Sequence, residues 1–200
     1  MKILPRNSKQ LRMIYENYKG KLLIASPEIS DGIFDKSIIL ICKHDANGTM
    51  GFIVNKPVID VTLGTIWATL GYDEKNLHSP NEDVLIGGPL ASNAMFVIHS
   101  PEYFIDKKTI KVGEEISVTG TKEITDHIQK GQGPKKALFL MGYSGWMPGQ
   151  LEDEIMRDSW FISEKLENLI FSVDYKSKWT DALFLIGIDP SKLSSYAGSS

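Results

Sequence analysis

Short runs of consecutive apolar residues recur along the chain and predict β-strands. Most contain four or five residues and are rich in β-branched side chains, which fit the pleated surface of a sheet. The predicted strands cover residues 21–25, 38–42, 50–54, 84–86, 95–99, 115–118, 137–141 and 159–162. Between the second and third of these, Asn47-Gly48 is a pair that tight hairpin turns prefer. Those two strands are therefore expected to pair.

Apolar residues spaced three and four apart predict amphipathic helices between the strands. In 62–70, Leu63, Ile66, Trp67 and Leu70 form one apolar stripe, so Trp67 is interpreted as a core residue. The other predicted helices cover residues 8–18, 122–130, 147–155, 164–170 and 178–186. Strands outnumber helices early in the chain and alternate with them later, without a regular βαβ repeat. This order predicts one domain of the α/β class with α+β character.

A glycine-rich run follows the predicted strand at 137–141 and is the most specific stretch of the sequence. Three glycines, one proline and one tryptophan lie between Gly142 and Gln150, and acidic residues follow. Glycine tolerates positive φ and close backbone approach, proline suits the first turn of a helix, and acidic residues suit its positive end. The run therefore predicts a strand, a tight turn and a helix start, named here the 142–152 corner.

Ser144 in this corner has two interpretations. Gly142-Tyr-Ser-Gly-Trp146 is similar to the G-x-S-x-G turn that presents a nucleophilic serine, but Trp146 stands where the final glycine belongs. With His44 or His99 as a base, Ser144 would be an activated nucleophile. The alternative is a serine that simply fits a tight turn.

The polar and aromatic residues of the corner also have two interpretations. Gln150, Tyr143, Trp146 and Glu152 would together make a polar–aromatic pocket wall. The alternative is a corner that satisfies its own hydrogen bonds, with Trp146 buried.

A second glycine-rich turn follows the predicted strand at 84–86. In Gly87-Gly88-Pro89, backbone amides would face an anion if the turn formed a concave nest. The alternative is an ordinary tight turn, because this residue combination is common in turns.

Composition and charge narrow the classes of partner. The 200 residues are 42% hydrophobic and 24% charged, which is typical of one globular domain. The net charge of −3, without a helix that carries a dense lysine and arginine face, argues against direct nucleic-acid binding. No apolar stretch approaches the roughly 18–20 residues of a membrane span, so no membrane partner is expected.

Histidine and cysteine are too dispersed to indicate a metal site. The four histidines lie far apart in the sequence, and neither a H-x-x-H nor a C-x-x-C spacing occurs. Nucleotide-binding motifs of the Walker and Gly-x-Gly-x-x-Gly types are also missing. The single cysteine, Cys42, is interpreted as a buried small hydrophobe and fits a reducing cytoplasm. We therefore expect no cofactor, no metal and a cytoplasmic protein.

Several runs together resemble the AlgH/YqgE family of bacterial proteins. These runs are Leu22-Leu-Ile-Ala-Ser-Pro27, His44 with Gly48-Thr-Met-Gly-Phe-Ile-Val-Asn-Lys-Pro57, Gly87-Gly-Pro89 with Phe96-Val-Ile-His99, Gly142-Tyr-Ser-Gly-Trp-Met-Pro-Gly-Gln-Leu-Glu152, and Gly187-Ile-Asp-Pro190 with Leu193-Ser194. Ser144 stands where the family usually has alanine. The tail reads Ala-Gly-Ser-Ser where Gly-His-Ala is common, so one candidate site histidine of the family is missing.

The resemblance implies a compact α/β domain at 20–197, whose mixed, bent sheets form a barrel-like core with flanking helices. The resemblance does not cover residues 1–19, which their apolar spacing predicts to be an N-terminal amphipathic helical extension. Residues 198–200 are predicted to be a frayed tail. The family carries the label of transcriptional regulator, and its biochemical activity is not established.

These features favour a non-catalytic regulatory or binding protein, with no residue assigned to catalysis, cofactor or metal. The alternative is an enzyme that acts on a small molecule through a cleft lined by the 142–152 corner. The candidate pocket residues are His44, Asn55, Gly87, Gly88, His99, Tyr143, Ser144, Trp146, Gln150 and Glu152. The partner is an unknown small molecule or protein, and the sequence leaves the oligomeric state open.

Overall fold

The computed structural model describes residues 17–30, 32–72, 79–164 and 167–193. These residues form ten strands and six helices. The strands are β1 (Leu22–Ala25), β2 (Ile38–Asp45), β3 (Gly48–Ile53), β4 (Pro57–Thr62), β5 (Asp83–Ile86), β6 (Leu90–His99), β7 (Thr109–Lys111), β8 (Ser117–Thr119), β9 (Ala137–Trp146) and β10 (Trp160–Ser163). The helices are α1 (Leu63–Thr69), α2 (Lys122–Gln129), α3 (Gln150–Met156), α4 (Glu167–Ile170), α5 (Lys178–Leu185) and α6 (Pro190–Leu193).

The ten strands form one curled sheet with the shape of a half-barrel. The main path runs β10-β1-β2-β3-β9-β6-β8-β7, and β4 and β5 branch from it through β9. Among the described pairings, β5 with β9 is parallel and the others are antiparallel. The mixed, bent sheet with flanking helices confirms the predicted fold class.

Strand β9 bends at Gly142 and serves both halves of the sheet. Tyr143 pairs with Leu90 of β6. Residues 137–141 pair with β6, and 139–141 also with β5, whereas residues 144–146 pair with β3. Gly142 lies between them with a φ of 73°, in the left-handed region that favours glycine. A Cβ atom there would lie 2.5 Å from the carbonyl oxygen of Gly88. The bend therefore requires glycine both for its backbone conformation and for lack of space.

Alternate residues of β1 and β2 pack on opposite faces of the sheet, as the two-residue period of a strand requires. One face is covered by α5 and includes Leu22, Ile24, Leu40, Trp179 and Leu183. The opposite face packs against α3 and includes Leu23, Ile39, Ile41, Trp146, Leu151 and Trp160.

Trp67 and Cys42 are both fully buried, which confirms their interpretation as core residues. Trp67 belongs to a third cluster, where α1 and α2 pack on β5, β6 and β9. Burial raises the pKa of the Cys42 thiol far above its usual range, so this cysteine stays protonated.

The predicted turn at Gly142 is wrong, because β9 continues to Trp146. The turn follows at 147–149, and helix α3 begins at Gln150 after Gly149, whose φ is 79°. Met147, predicted to lie on the apolar face of that helix, is 73% exposed. The prediction fails because glycine is favoured both in tight turns and in a crowded bend within a strand, as at Gly142.

Two strands were not predicted. β4 begins at Pro57, because the missing N–H of a proline is tolerated at the first position of a strand. Strand β7 has only three residues, Thr109–Lys111, too few to show an alternating pattern.

The predicted N-terminal helix at 8–18 lies almost wholly outside the described residues. Of its last two residues, Tyr18 is fully buried against the face that contains Leu23 and Ile41. Residues 194–200, which include the predicted frayed tail, also lie outside. In the described part of the chain, no helix is both long and apolar enough to cross a membrane.

Candidate functional site

Glu154 of α3 is the acceptor that holds the 142–152 corner together. Its Oε2 accepts hydrogen bonds from the indole Nε1 atoms of Trp146 and Trp160, both at 2.8 Å. Its Oε1 accepts from Gln150 Nε2 at 2.9 Å, while Gln150 Oε1 accepts from the amide of Met147 at 3.0 Å. The polar groups of Trp146 and Gln150 are thus bonded within the corner, as in the self-satisfied alternative.

We expect Glu154→Ala to lower the free energy of unfolding by about 2–4 kcal/mol, because it leaves two buried indole N–H donors without an acceptor. Trp146 and Trp160 are only 7% and 5% exposed, so water replaces the carboxylate poorly. Urea unfolding followed by tryptophan fluorescence measures the loss. Asp153→Ala removes an exposed carboxylate of the same helix and is the matched control, with an expected change below about 1 kcal/mol. Equal losses in the two variants would contradict the prediction.

His44 and Glu152 lie together beside this corner. Nε2 of His44 is 3.5 Å from Oε1 of Glu152, and its Nδ1 is 2.8 Å from the hydroxyl of Thr49. The ring of Tyr18 meets the imidazole edge to face, with centroids 5.1 Å apart. A hydroxyl, an imidazole and a carboxylate in this order can move a proton, as in nucleophilic catalysis. Thr49, at 7% exposure, is the buried member of the group.

Ser144 lies elsewhere, within β9 and opposite Gly51. It is 1% exposed, and its hydroxyl donates to the carbonyl oxygen of Gly87 at 3.3 Å. Because the residue is part of a strand and not of a turn, the predicted likeness to the setting of a nucleophile elbow is wrong. Its hydrogen-bond partner is a backbone carbonyl and not a histidine.

Gly87 and Gly88 pack against the backbone of β9. The amide of Gly87 donates to the carbonyl of Met141 at 2.8 Å, and its carbonyl accepts from the amide of Ile53 at 2.8 Å. A Cβ atom on Gly88 would lie 2.1 Å from the carbonyl carbon of Tyr143. The Gly87 amide is therefore used inside the sheet, and the two glycines allow close backbone approach.

His99 and Tyr143 occupy packed positions away from the corner's surface. His99 is fully buried, with Nδ1 2.9 Å from the carbonyl of Ser100 and Nε2 2.9 Å from the hydroxyl of Thr119. Burial lowers the pKa of His99 below its usual range, which favours a neutral ring. Tyr143 is half-buried and contacts the Phe96 ring at a centroid distance of 6.0 Å.

Asn55 lies at the end of β3, under an open groove. Its Oδ1 accepts from the amide of Ile38 at 2.9 Å, and its Nδ2 donates to the carbonyl of Lys36 at 2.8 Å. The groove, named here the lysine–aromatic groove, has a volume of about 600 Å³. Its walls are Lys36, Asn55, Lys56, Pro57, Val173, Asp174, Tyr175, Lys176, Trp179 and Thr180.

Buried polar side chains at the start of α5 fix the base of this groove. Lys178 is fully buried, and its Nζ donates to the carbonyls of Val54 at 2.8 Å and Ile170 at 2.7 Å. Nε1 of the neighbouring Trp179 donates to the carbonyl of Ala25 at 2.9 Å. Burial lowers the pKa of Lys178 to about 8, because the charged ammonium loses its hydration. These bonds tie α5 to β1, to α4 and to the segment after β3.

The groove has more lysines than carboxylates among its walls and borders an acidic depression. Among its walls, Lys36, Lys56 and Lys176 outnumber one carboxylate, Asp174. Past Tyr175 lies a second depression of about 380 Å³, whose walls are Ser79, Pro80, Asn81, Glu82, Asp83, Val173 and Tyr175. Burial and the nearby carboxylates of Asp83 and Glu82 raise the pKa of Tyr175 to about 12.

The predicted candidates therefore form separate groups. Gly87 and Gly88 meet Tyr143 and Ser144 inside the sheet. His44 and Glu152 meet at the corner, Asn55 lies under the groove, and the remaining candidates serve packing or internal hydrogen bonds. In the part of the chain that the structure describes, no group of three histidine, cysteine or acidic side chains lies close enough to hold a metal ion.

The family model of AlgH-like proteins matches residues 22–191. The chain belongs to the AlgH-like family. A UPF0301 protein of Cereibacter sphaeroides is 42% identical over 182 residues, which cover 90% of this chain and 97% of that protein. A UPF0301 protein of a Methylobacterium species is 40% identical over 185 residues, which cover 90% of this chain and 88% of that protein. The resemblance drawn from the sequence motifs is confirmed.

Two solved structures have the same fold. The solution structure of the AlgH protein from Pseudomonas aeruginosa matches with a TM-score of 0.74 and 25% identity, covering all of both chains. A crystal structure of the Corynebacterium diphtheriae protein DIP2367 matches with a TM-score of 0.67 and 21% identity, covering 92% of this chain and 93% of that one. The second likeness concerns the fold alone.

Sequence reasoning missed many of the residues that these sites use, among them Thr49, Lys36 and Lys178. Thr49 was within reach, because the predicted hairpin places it across from His44. Lys178 also left a signal, since it precedes Ala182 by four residues and so shares the inward face of α5. Lys36 left none, because it lies in a loop and meets the groove only through the tertiary fold.

Proposed function

We propose that this member of the AlgH-like family is a non-catalytic regulatory or binding protein that holds its ligand in the lysine–aromatic groove. The observation that carries the proposal is the composition of that groove. Three lysines and two aromatic residues line one cavity of about 600 Å³, a size typical of small-molecule sites. No ion pair joins these three lysines to a carboxylate among the described residues.

The contacts of most predicted site residues also support a non-catalytic role. Gln150, His99 and Asn55 each use their side-chain polar atoms in hydrogen bonds within the protein. Ser144 is buried and donates to a backbone carbonyl. Groups engaged in this way stabilise a fold, whereas the lysines of the groove, two exposed and Lys56 half-buried, are available to a ligand.

The regulatory part of the proposal does not involve direct reading of DNA. The net charge of −3 provides little attraction for a polyanion, and the lysines cluster around a concave site and not along a helix. The family's label of transcriptional regulator fits a protein that responds to a small molecule. We also propose a cytoplasmic location, which the single buried cysteine and the bacterial relatives support.

A thermal-shift screen against a metabolite library tests this proposal. A ligand at about 100 times its Kd adds about 2.7 kcal/mol to the free energy of unfolding. For a chain of 200 residues we therefore expect a rise in Tm of about 5–10 °C. The rise is expected to disappear in the double variant Lys36→Glu/Lys56→Glu. It is expected to persist in Lys107→Glu, which changes an exposed lysine outside the groove. A ligand that stabilises the wild type, the double variant and Lys107→Glu equally would contradict binding in the groove.

A second candidate function is an enzyme that acts on a small molecule, and the contacts of His44 with Thr49 and Glu152 favour it. The same screen separates the two functions. A compound that the protein converts, with conversion lost in His44→Gln and kept in Lys36→Glu, would support the enzyme in place of the binding protein.

A further inference from the structure

We infer that the ligand of the lysine–aromatic groove is a nucleotide whose base carries an amino group. The inference rests on the proposed function and specifies the ligand by three features: a positive end, an aromatic surface and an acidic end. Each feature selects one part of the ligand, and together they require a phosphate, a planar ring and a hydrogen-bond donor.

The positive end consists of Lys36, Lys56 and Lys176. Lysine ammonium groups bind phosphate as point charges, and three of them match the charge of a diphosphate. The groove also contains the carboxylate of Asp174, whose Oδ1 accepts from the amide of Ser177 at 3.3 Å in the turn that starts α5. A ligand phosphate would therefore meet lysines that have no carboxylate partner among the described side chains.

The backbone at Lys36 is held in an unusual conformation that places its side chain over the groove. Its φ is 48°, in the left-handed region that few non-glycine residues adopt. Such a conformation persists where the surroundings fix it, and it is common at functional sites. Here Asn55 fixes it by donating to the Lys36 carbonyl at 2.8 Å. The Lys36 ammonium then lies 6.0 Å from the centroid of the Trp179 ring.

Tyr175 supplies the aromatic surface between the two depressions. It is half-buried and lines both the groove and the acidic depression. Lys178 lies 4.9 Å from the centroid of its ring, and the bonds of Lys178 to Val54 and Ile170 fix this ammonium in place. A fixed aromatic ring offers a stacking surface for a planar base. The exposed Val173 adds an apolar contact shared by the two depressions.

The acidic end selects for a donor on the base. Glu82 and Asp83 line the second depression, where Asp83 also interacts with the hydroxyl of Tyr175, and carboxylates can only accept hydrogen bonds. An exocyclic amino group on the base would donate to them, while a base that presents a carbonyl there would be repelled. Adenine and cytosine nucleotides thus fit better than uracil nucleotides. The volumes of about 600 and 380 Å³ fit a single nucleotide and not a folded partner.

Isothermal titration calorimetry with ADP, in EDTA and low salt, tests this inference on the full chain. We expect saturable binding of ADP, whereas adenosine and inorganic phosphate alone bind at least about tenfold more weakly, because each keeps only part of the contacts. UDP is expected to bind more weakly than ADP. Lys36→Glu and Tyr175→Leu are each expected to weaken the binding of ADP by about tenfold or more. Lys107→Glu is the control and is expected to leave the affinity for ADP unchanged.

Three results of the calorimetry would overturn the inference that the ligand is a nucleotide. They are undetectable ADP binding, equal affinity of ADP and inorganic phosphate, and ADP binding that is unchanged in Lys36→Glu. Preferential, lysine-dependent binding of single-stranded RNA would also overturn it in favour of a polyanion partner. If ADP does not bind while another metabolite binds in a way that requires Lys36, the inference of a nucleotide ligand is wrong and the proposed function stands. If no ligand depends on Lys36 or Lys56, both are wrong.

Discussion

Wild-type protein is expected to gain about 2–3 kcal/mol of stability relative to the Lys178→Met variant when the pH rises from 7 to 10. The Lys178 ammonium is buried, and its pKa is lowered from 10.5 to about 8 in the folded state. Between about pH 8 and pH 10.5 the Lys178 side chain is protonated in the unfolded chain and largely deprotonated in the folded chain. Stability therefore rises with pH across this window, and the full cost of the buried charge is present below pH 8.

Methionine keeps most of the volume of lysine and removes the titrating group, so the difference between the two proteins isolates Lys178. Urea unfolding of both at pH 7 and pH 10 provides the measurement. Other lysines and tyrosines titrate in the same range, and Lys107→Met, which changes an exposed lysine, controls for them. If the gap between wild type and Lys178→Met stays constant from pH 7 to pH 10, Lys178 is not the buried cation described above.

Gly88→Ala is expected to lower the free energy of unfolding by more than about 4 kcal/mol, enough to prevent stable folding. The added Cβ atom would lie 2.1 Å from the carbonyl carbon and 2.3 Å from the carbonyl oxygen of Tyr143. These are backbone atoms of the central strand β9, so no side-chain rotation relieves the overlap. Circular dichroism during thermal unfolding measures the loss.

Gly113→Ala is the matched control for this substitution, because nothing lies within 4 Å of the added atom. We expect it to change stability by no more than about 0.5 kcal/mol. A Gly88→Ala protein with a Tm close to that of Gly113→Ala would show that the turn after β5 moves freely, and would contradict the close packing against β9.

Local patterns predicted much of the fold, because they depend on neighbours in the chain. The stripe around Trp67 located α1, and Asn47-Gly48 correctly indicated that β2 and β3 form a hairpin. The bend of β9 at Gly142 was not predictable in this way. Its glycine is required by the approach of Gly88, which is 54 residues away in the chain and near only in the folded protein.

The candidate sites show the same division. Asn55 was identified as a site residue, but its bond to Lys36 joins two segments whose proximity depends on the pairing of β2 with β3. Lys178 reaches a carbonyl 124 residues earlier in the chain, and no local pattern encodes such a contact. The His44 and Thr49 contact lies within one hairpin and was in principle predictable from its register.

The three-way pairing of β9 has a consequence for how the molecule unfolds. Loss of β3 would leave residues 144–146 of β9 without a partner, and loss of both β5 and β6 would do the same to residues 137–141. Neither half of the sheet is thus an autonomous folding unit. The two halves of the half-barrel are joined through the single strand β9, and most of the strand pairings connect segments that are far apart in the sequence. Such a topology favours slow folding and a single, cooperative melting transition.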